Sequence, residues 1–251
     1  MQDALKSVRR FLRPLVRSMR QAKEMITGRG IPNGSHAFHD LRWFLPNLSV
    51  QVIFDVGANV GTVTNAFSKH FPEALIFCFE PAPNVHRSLL KNTENKRIRC
   101  FPIALSDNKS TATMHRVTSG RLYNLENTDI AESDVVEQVK VETLESFCTD
   151  NDVERINYLK IHTGGHDLSV LRGADSLLAQ QSIDVVEVEA CMSPDSDIYS
   201  TADEMKTFLE HKDYRLFATY EQENERPTHE HHLRRTNLVF ISRAVINSNS
   251  G

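Results

Sequence analysis

Cysteine, long apolar runs and clustered metal ligands are all scarce in this 251-residue chain. The four cysteines, Cys78, Cys100, Cys148 and Cys191, show neither CxxC nor any other ligand spacing, which excludes the common zinc frameworks. Three of them lie in or beside apolar runs, the setting of buried free thiols in a reducing compartment, so a cytoplasmic protein is expected. No apolar run reaches the ~18 residues that a spanning helix needs. The early arginines are followed by no apolar h-region and no small-residue cleavage site, so they do not read as a secretion signal. Internal repeats and low-complexity tracts are absent as well. What remains, 40% hydrophobic and 25% charged residues, is the composition of an ordinary globular protein, and the length suits one large α/β domain with some decoration.

The net charge of −4 is unevenly spread. Residues 1–30 hold eight Lys/Arg against Asp3 and Glu24, so this segment is +6 and the remainder −10. The overall balance argues against a nucleic-acid partner. A basic leader on an acidic body points instead to an anionic surface. Leu5, Val8, Leu12, Leu15, Val16 and Met19 recur at helical steps, a pattern that Pro14 breaks or kinks. Through residues 1–27 such a helix could pack on its own domain or on another copy in a homo-oligomer. It could equally lie on a membrane surface as a peripheral contact, or stay a disordered tail. Gly28–Gly34, with Pro32, reads as a linker. The expected division is a basic helical extension and linker over 1–34, a domain over 35–245, and a disordered tail over 246–251.

From Val50 onward, strand-like apolar runs alternate with helical patterns. Strands are expected near 51–55, 75–79, 97–103, 156–161, 183–189, 214–219 and 237–242, and helices near 60–70, 83–93, 166–180 and 201–211. This recurrence implies right-handed crossovers and a mostly parallel, Rossmann-like sheet covered on both faces. The last two strands are joined by the polar stretch Glu221–Arg235 without a helix, so they are expected as antiparallel neighbours. A parallel sheet with one late antiparallel strand is the class I methyltransferase variant of the α/β doubly wound fold. Residues 108–142 are short, polar and β-like, a hairpin insertion expected near the ligand face.

The run Val52-Ile53-Phe54-Asp55-Val56-Gly57-Ala58-Asn59-Val60-Gly61 reads as a buried strand, a tight turn and the start of a helix. Gly57 and Gly61 would let backbone approach a ligand, and the helix start offers free N–H groups and a positive dipole end. A ligand-free turn is the bland alternative. The Gly-x-x-x-Gly spacing, with Asp55 two residues before the first glycine, favours the methionine and ribose portion of S-adenosylmethionine. A nucleotide-binding dehydrogenase is the competing reading. Glu80, at the end of the second strand, could accept both ribose hydroxyl protons, or stay a surface carboxylate near Pro81 and Pro83. After the third strand Ile103 and Ala104 would wall the adenine, and Asp107 either accepts its amino hydrogen or caps a turn.

Together with Thr143-Leu144-Glu145, Leu159-Lys160-Ile161, Gly165-His166-Asp167, Val170-Leu171-Arg172-Gly173-Ala174, Glu187-Val188-Glu189 and Leu233-Arg234-Arg235-Thr236-Asn237, these segments resemble the FkbM-type methyltransferases. The resemblance runs from about residue 50 to 243. It implies an S-adenosylmethionine-dependent O-methyl transfer, often to sugar or polyketide hydroxyls, and hence a small-molecule or saccharide acceptor. On this resemblance Asp55, Gly57, Ala58, Asn59, Gly61, Glu80, Pro81, Ile103, Ala104 and Asp107 would hold the cofactor. His162, His166, Asp167 and Glu189 would form the reaction side, with no metal.

One departure bears on catalysis. The family pattern after the fourth strand is Lys-Ile-Asp-x-Glu-Gly, where this chain has Lys160-Ile161-His162-Thr163-Gly164-Gly165. A histidine keeps a base but is a poor ligand for Mg²⁺, and glycine can serve neither purpose. A protein that binds the cofactor yet is catalytically silent, acting as partner or scaffold, is therefore the alternative. Asp167 could equally be a first-turn carboxylate favoured by the helix dipole, and Glu189 a structural hydrogen-bonding group. Arg234, Arg235 and Asn237 could bind an anionic substrate, shape the pocket mouth, or form a solvated charge cluster. The run Thr228–His232 looks like a metal cluster but lacks a second spaced pair, so it reads as an exposed loop.

Overall fold

In the computed structural model, residues 37–116, 123–124, 136–193, 199–224 and 232–250 are described. The basic extension, and the histidine-rich run as far as residue 231, lie outside them. The elements in chain order are α1 (Ala37–Phe44), β1 (Val52–Val56), α2 (Thr62–His70), β2 (Leu75–Phe79), α3 (Pro83–Asn92), β3 (Ile98–Phe101), β4 (Ile103–Leu105), β5 (Ser110–Arg116), β6 (Tyr123–Asn124) and β7 (Val136–Glu142). Then follow α4 (Leu144–Asp150), β8 (Ile156–Ile161), α5 (Asp167–Arg172), α6 (Asp175–Ala179), β9 (Ile183–Cys191), α7 (Ala202–His211), β10 (Tyr214–Asn224), β11 (Leu233–Ser242) and α8 (Arg243–Asn249).

The main sheet has the order β10-β11-β9-β8-β1-β2-β3. Strand β11 is antiparallel to both β9 and β10, and the other pairings are parallel. This is the expected fold class, a mostly parallel α/β sheet with one late antiparallel strand. Side chains alternate across it: Phe54 and Val56 enter one core with Phe79, Phe147, Leu159 and Val186. Ile53 enters the other with Leu41, Phe67, Ile76, Tyr158 and Val239. Because both faces are covered, every residue of β8 and of β9 is buried or nearly so, as central parallel strands require. Among the described residues no helix is long and apolar enough to cross a membrane.

Several boundaries differ from the sequence reading. The strand expected over 97–103 is divided at Pro102: β3 stays in the main sheet, while β4 pairs with β7 in a second sheet, β4-β7-β5-β6. Proline has no N–H to carry the first ladder onward, and the chain changes sheet there. The helix expected over 166–180 is two short helices, α5 and α6. The disordered tail expected from residue 246 is corrected, because α8 runs to Asn249. Ser242 caps it by accepting the Val245 N–H at 3.2 Å, Val245 is buried, and the Asn249 side-chain Oδ1 accepts the Asn47 N–H at 2.9 Å. Its polar composition hides a docked last turn.

A candidate cofactor and reaction site at the strand ends

The carboxyl ends of β1, β2, β4 and β8 open into a cavity of about 320 Å³. Parallel strands place their carboxyl-end loops on one side, and the strand-order reversal around β1 leaves a crevice there. Its lining includes Asp55, Gly57, Ala58, Asn59, Glu80, Pro81, Ile103, Ala104, Lys160, His162 and His166. Most of the expected cofactor residues are thus brought together.

The turn after β1 is closed by backbone. Gly57 and Ala58 donate their N–H groups to the Phe79 carbonyl at 2.9 and 3.0 Å, and Gly61 donates to Ala58 at 2.9 Å. The turn lines the cavity together with Thr62 and Val63 at the helix start. Gly57 has φ +80, and a Cβ there would lie 2.1 Å from the His162 carbonyl oxygen. The glycine is what allows the β1 and β8 loops to touch. Gly61 has φ +88 but does not line the cavity; its missing Cβ makes room for Thr93 and Leu89 of the α3 region. Its expected role at the ligand is replaced by helix packing.

Glu80 is buried, and each of its oxygens accepts one backbone N–H, from Asn59 at 3.0 Å and from Ala82 at 2.9 Å. Burial pushes its carboxyl up from the ordinary value, and those two hydrogen bonds oppose the shift. Each oxygen keeps a second lone pair for a ligand hydroxyl. Asp55, also buried, accepts the Thr64 hydroxyl at 2.6 Å and is likewise pushed up by burial. Asp107 is exposed, bonded to Asn108 at 2.8 Å, and outside the cavity, so the turn reading fits it and the adenine contact does not.

On the reaction side, His162 directly follows β8 and lines the cavity. Its side chain retains 42% of its accessibility, yet enough protein surrounds the ring that desolvation, then the Lys160 charge, lowers the imidazole pKa. Its Nε2 is 3.4 Å from Glu189 Oε2. Glu189 Oε1 pairs with Arg235 at 3.0 Å, and Arg235 reaches on to Glu223 at 2.9 Å. Asp167 is buried rather than cavity-lining: its Oδ2 accepts from Thr163 Oγ1 at 2.9 Å and from the Gly165 N–H at 3.3 Å. It shapes the loop that carries Thr163 and Gly164, whereas His166 reaches the lining itself.

Sequence reasoning missed a buried polar cluster behind His162. Lys160 Nζ lies 3.2 Å from Glu187 Oε1, which also accepts from Asn237 Nδ2 at 2.8 Å, while Tyr158 donates its hydroxyl to Oε2. Burial alone would neutralise Glu187, but Lys160, Tyr158 and Asn237 outweigh it and hold its carboxyl below the usual range. Asn237 therefore belongs to the core and not to the pocket mouth. Met114 of β5 and Val85 of α3 were missed too; they bring the second sheet and a helix to the cavity wall. A charged residue inside each of two apolar runs, Lys160 and Glu187, was the available signal. Among the described residues no group of three His, Cys, Asp or Glu side chains is arranged to hold a metal ion.

Residues 55–216, more than half of the chain, match the methyltransferase FkbM domain. The chain belongs to the FkbM methyltransferase family. Relatives within reach of sequence comparison include the hexuronic acid methyltransferase AglP of Haloferax volcanii, 25% identical over 64% of this chain and 64% of AglP. The 2-O-methyltransferase NoeI of Sinorhizobium fredii is 26% identical over 66% of this chain and 74% of NoeI. A solved FkbM methyltransferase from Methylobacillus flagellatus KT aligns with a TM-score of 0.47 at 13% identity, covering 75% of this chain and 43% of that one. The chain thus spans less than two thirds of AglP and under half of the solved FkbM protein.

Within the FkbM frame, the departures at 162 and 164 take a definite form. His162 stands at the cavity, in the place where the resemblance described above implies aspartate. Gly164 lines it with φ +71, and a Cβ there would meet nothing within 4 Å. The position has room for a side chain, but its backbone lies in the left-handed region that strains one.

Proposed function

We propose that this chain is an S-adenosylmethionine-dependent O-methyltransferase whose acceptor is a hydroxyl of a saccharide or natural-product intermediate. The observation that carries the reading is the pairing, in one cavity, of the anchored Glu80 carboxylate with His162 about the Gly57 turn. The residues fit the cofactor: Glu80 has lone pairs for ribose hydroxyls, and Ile103, Ala104, Leu105 and Met114 supply an apolar wall for a base. Bound there, S-adenosylmethionine supplies an electrophilic methyl carbon on a sulfonium. The chain's own contribution is to hold the acceptor hydroxyl in line and to take its proton, for which His162 is the neutral base in the lining. AglP and NoeI, by their names a hexuronic acid and a 2-O-methyltransferase, support a sugar hydroxyl as the acceptor.

A second reading is a cofactor-binding but silent partner protein, favoured by the lost carboxylate at Gly164. Calorimetry with S-adenosylhomocysteine should show binding under both readings. Methyl transfer from labelled S-adenosylmethionine to a panel of free and glycosidic sugars separates them. Turnover that appears only in a His162→Asp/Gly164→Glu double variant would establish the silent form, and binding of NAD in place of S-adenosylhomocysteine would remove both. For the compartment we propose the cytoplasm, on the strength of four free thiols among the described residues. For the basic segment 1–27 we propose contact with an anionic membrane surface or a second copy, on its charge and periodicity.

A further inference from the structure

We propose that Glu189 is a positioning residue for His162: it takes the imidazole Nε2–H and leaves Nδ1 as the basic nitrogen for the acceptor hydroxyl. The inference rests on the methyltransferase reading and deepens it. Strands β8 and β9 run parallel with Ile161 opposite Val188, so the next residues along, His162 just past the end of β8 and Glu189 near the end of β9, come together. Nε2 and Oε2 stand 3.4 Å apart, and Oε2 is buried with no hydrogen-bond partner. A buried carboxylate oxygen without a donor is costly, and a small ring rotation of His162 supplies one.

Glu189 cannot turn away to find another donor. Its Oε1 is held by Arg235 Nη1 at 3.0 Å, and Arg235 is held in turn by Glu223 at 2.9 Å and by the Tyr199 ring, 5.2 Å below the guanidinium. Asp167 also acts on the ring; its Oδ2 is committed to Thr163 and Gly165 while its buried Oδ1 has no partner, which makes it the control for Glu189. In the step itself the acceptor O–H bond breaks, its proton passes to Nδ1, and its electron pair stays on oxygen. That oxygen bonds the methyl carbon as sulfur keeps the S–C pair. The ring edge left open to solvent then releases the proton to water.

The tautomer is the test, because it is read without turnover. Ring ¹⁵N shifts are recorded on the full-length protein with S-adenosylhomocysteine, at a pH where His162 is neutral, with assignment by a His162→Gln variant. The Nε2–H form is expected. In Glu189→Gln, Arg235 claims the amide oxygen and the amide NH₂ faces Nε2, so the ring is expected to switch to Nδ1–H. In Glu189→Ala, which covers failure of the first variant to fold, a mixture is expected. Asp167→Asn should leave Nε2–H in place. An Nδ1–H ring in the unaltered protein, or one tautomer throughout the Glu189 variants, overturns the proposal. Failure to bind S-adenosylhomocysteine, or to methylate, counts instead against the methyltransferase reading.

Discussion

Replacing Gly57 by alanine should damage both the fold and the reaction side, and the structure gives the size of the effect. The new Cβ would sit 2.1 Å from the His162 carbonyl oxygen, a backbone atom that cannot rotate aside. The His162 N–H meanwhile donates to Val56 at 2.9 Å, so any retreat of that loop strains the β1–β8 ladder. Left-handed backbone costs a non-glycine residue about 1–2 kcal/mol, and overpacking adds about 1–3 kcal/mol. The sum, on the order of 2–5 kcal/mol, is a large part of a typical ~5–15 kcal/mol stability. Gly61→Ala is the comparison. It has the same backbone penalty at φ +88, but its Cβ meets the side-chain ends Thr93 Cγ2 at 2.6 Å and Leu89 Cδ1 at 3.0 Å, which can shift. Urea unfolding should therefore place Gly57→Ala below Gly61→Ala in midpoint, and only Gly57→Ala should move the His162 ring signals. Equal midpoints with undisturbed His162 signals would refute the close approach of the two loops.

Three further outcomes follow from the same geometry. Methyl transfer should rise with pH through a midpoint below the ordinary histidine value of 6.5. The base is the neutral ring, and burial and Lys160, joined by Arg235, lower its pKa against the opposing charges of Asp167 and Glu221. An acid limb above that value contradicts the assignment of His162 as base. Lys160→Met should destabilise the protein by about 3–5 kcal/mol in chemical denaturation, since it strands the buried Glu187 charge; the Lys160→Met/Glu187→Gln double variant should recover much of that loss. Finally, Cys78 lies directly across from Cys100, and the hydrogen bond between the two free thiols, helped by Thr93, lowers the pKa of the half-buried Cys100 thiol. Iodoacetamide at neutral pH should label Cys100 ahead of buried Cys148, whose thiol burial pushes up to about 12, and mass spectrometry gives the order.

What could be read in the sequence was what local pattern encodes. The β1 run and its turn were legible because a strand apolar but for Asp55 leads into glycines that a left-handed turn requires. The antiparallel pair β10–β11 was legible because a polar stretch without a helix joined its two apolar runs. Strand β11 nevertheless begins four residues before the expected 237, since Arg234 and Arg235 interrupt the apolar pattern and look like loop. Arg235 is tolerated there because Glu189 and Glu223 stand beside it, and those partners come from two other strands. The same reason hid the core cluster. Lys160 pairs with Glu187 only because β8 and β9 set them opposite one another, a register that spans 27 positions and leaves no local trace.

The reaction side lies on the far side of that limit. The change from a family carboxylate to His162 was visible as a letter, and it read as an impairment. Its environment was not visible. The register that joins Lys160 to Glu187 brings Glu189 to His162 at the strand ends, and β11 adds the arginine that fixes the carboxylate. A lone histidine in a carboxylate's place is a weak replacement; a histidine with a clamped carboxylate behind it retains the parts of a base. On the proposed function, cofactor binding would rest on the β1 turn and Glu80, and proton removal on the β8–β9–β11 edge. On that reading His162 falls on the second of these, which makes base strength rather than cofactor affinity the quantity that a carboxylate at 162 should change. The His162→Asp variant is accordingly expected to shift the acid limb of the rate toward the carboxylate range while changing S-adenosylhomocysteine affinity by less than about tenfold, or ~1.4 kcal/mol. A larger loss of affinity with an unmoved limb would place His162 in cofactor binding instead.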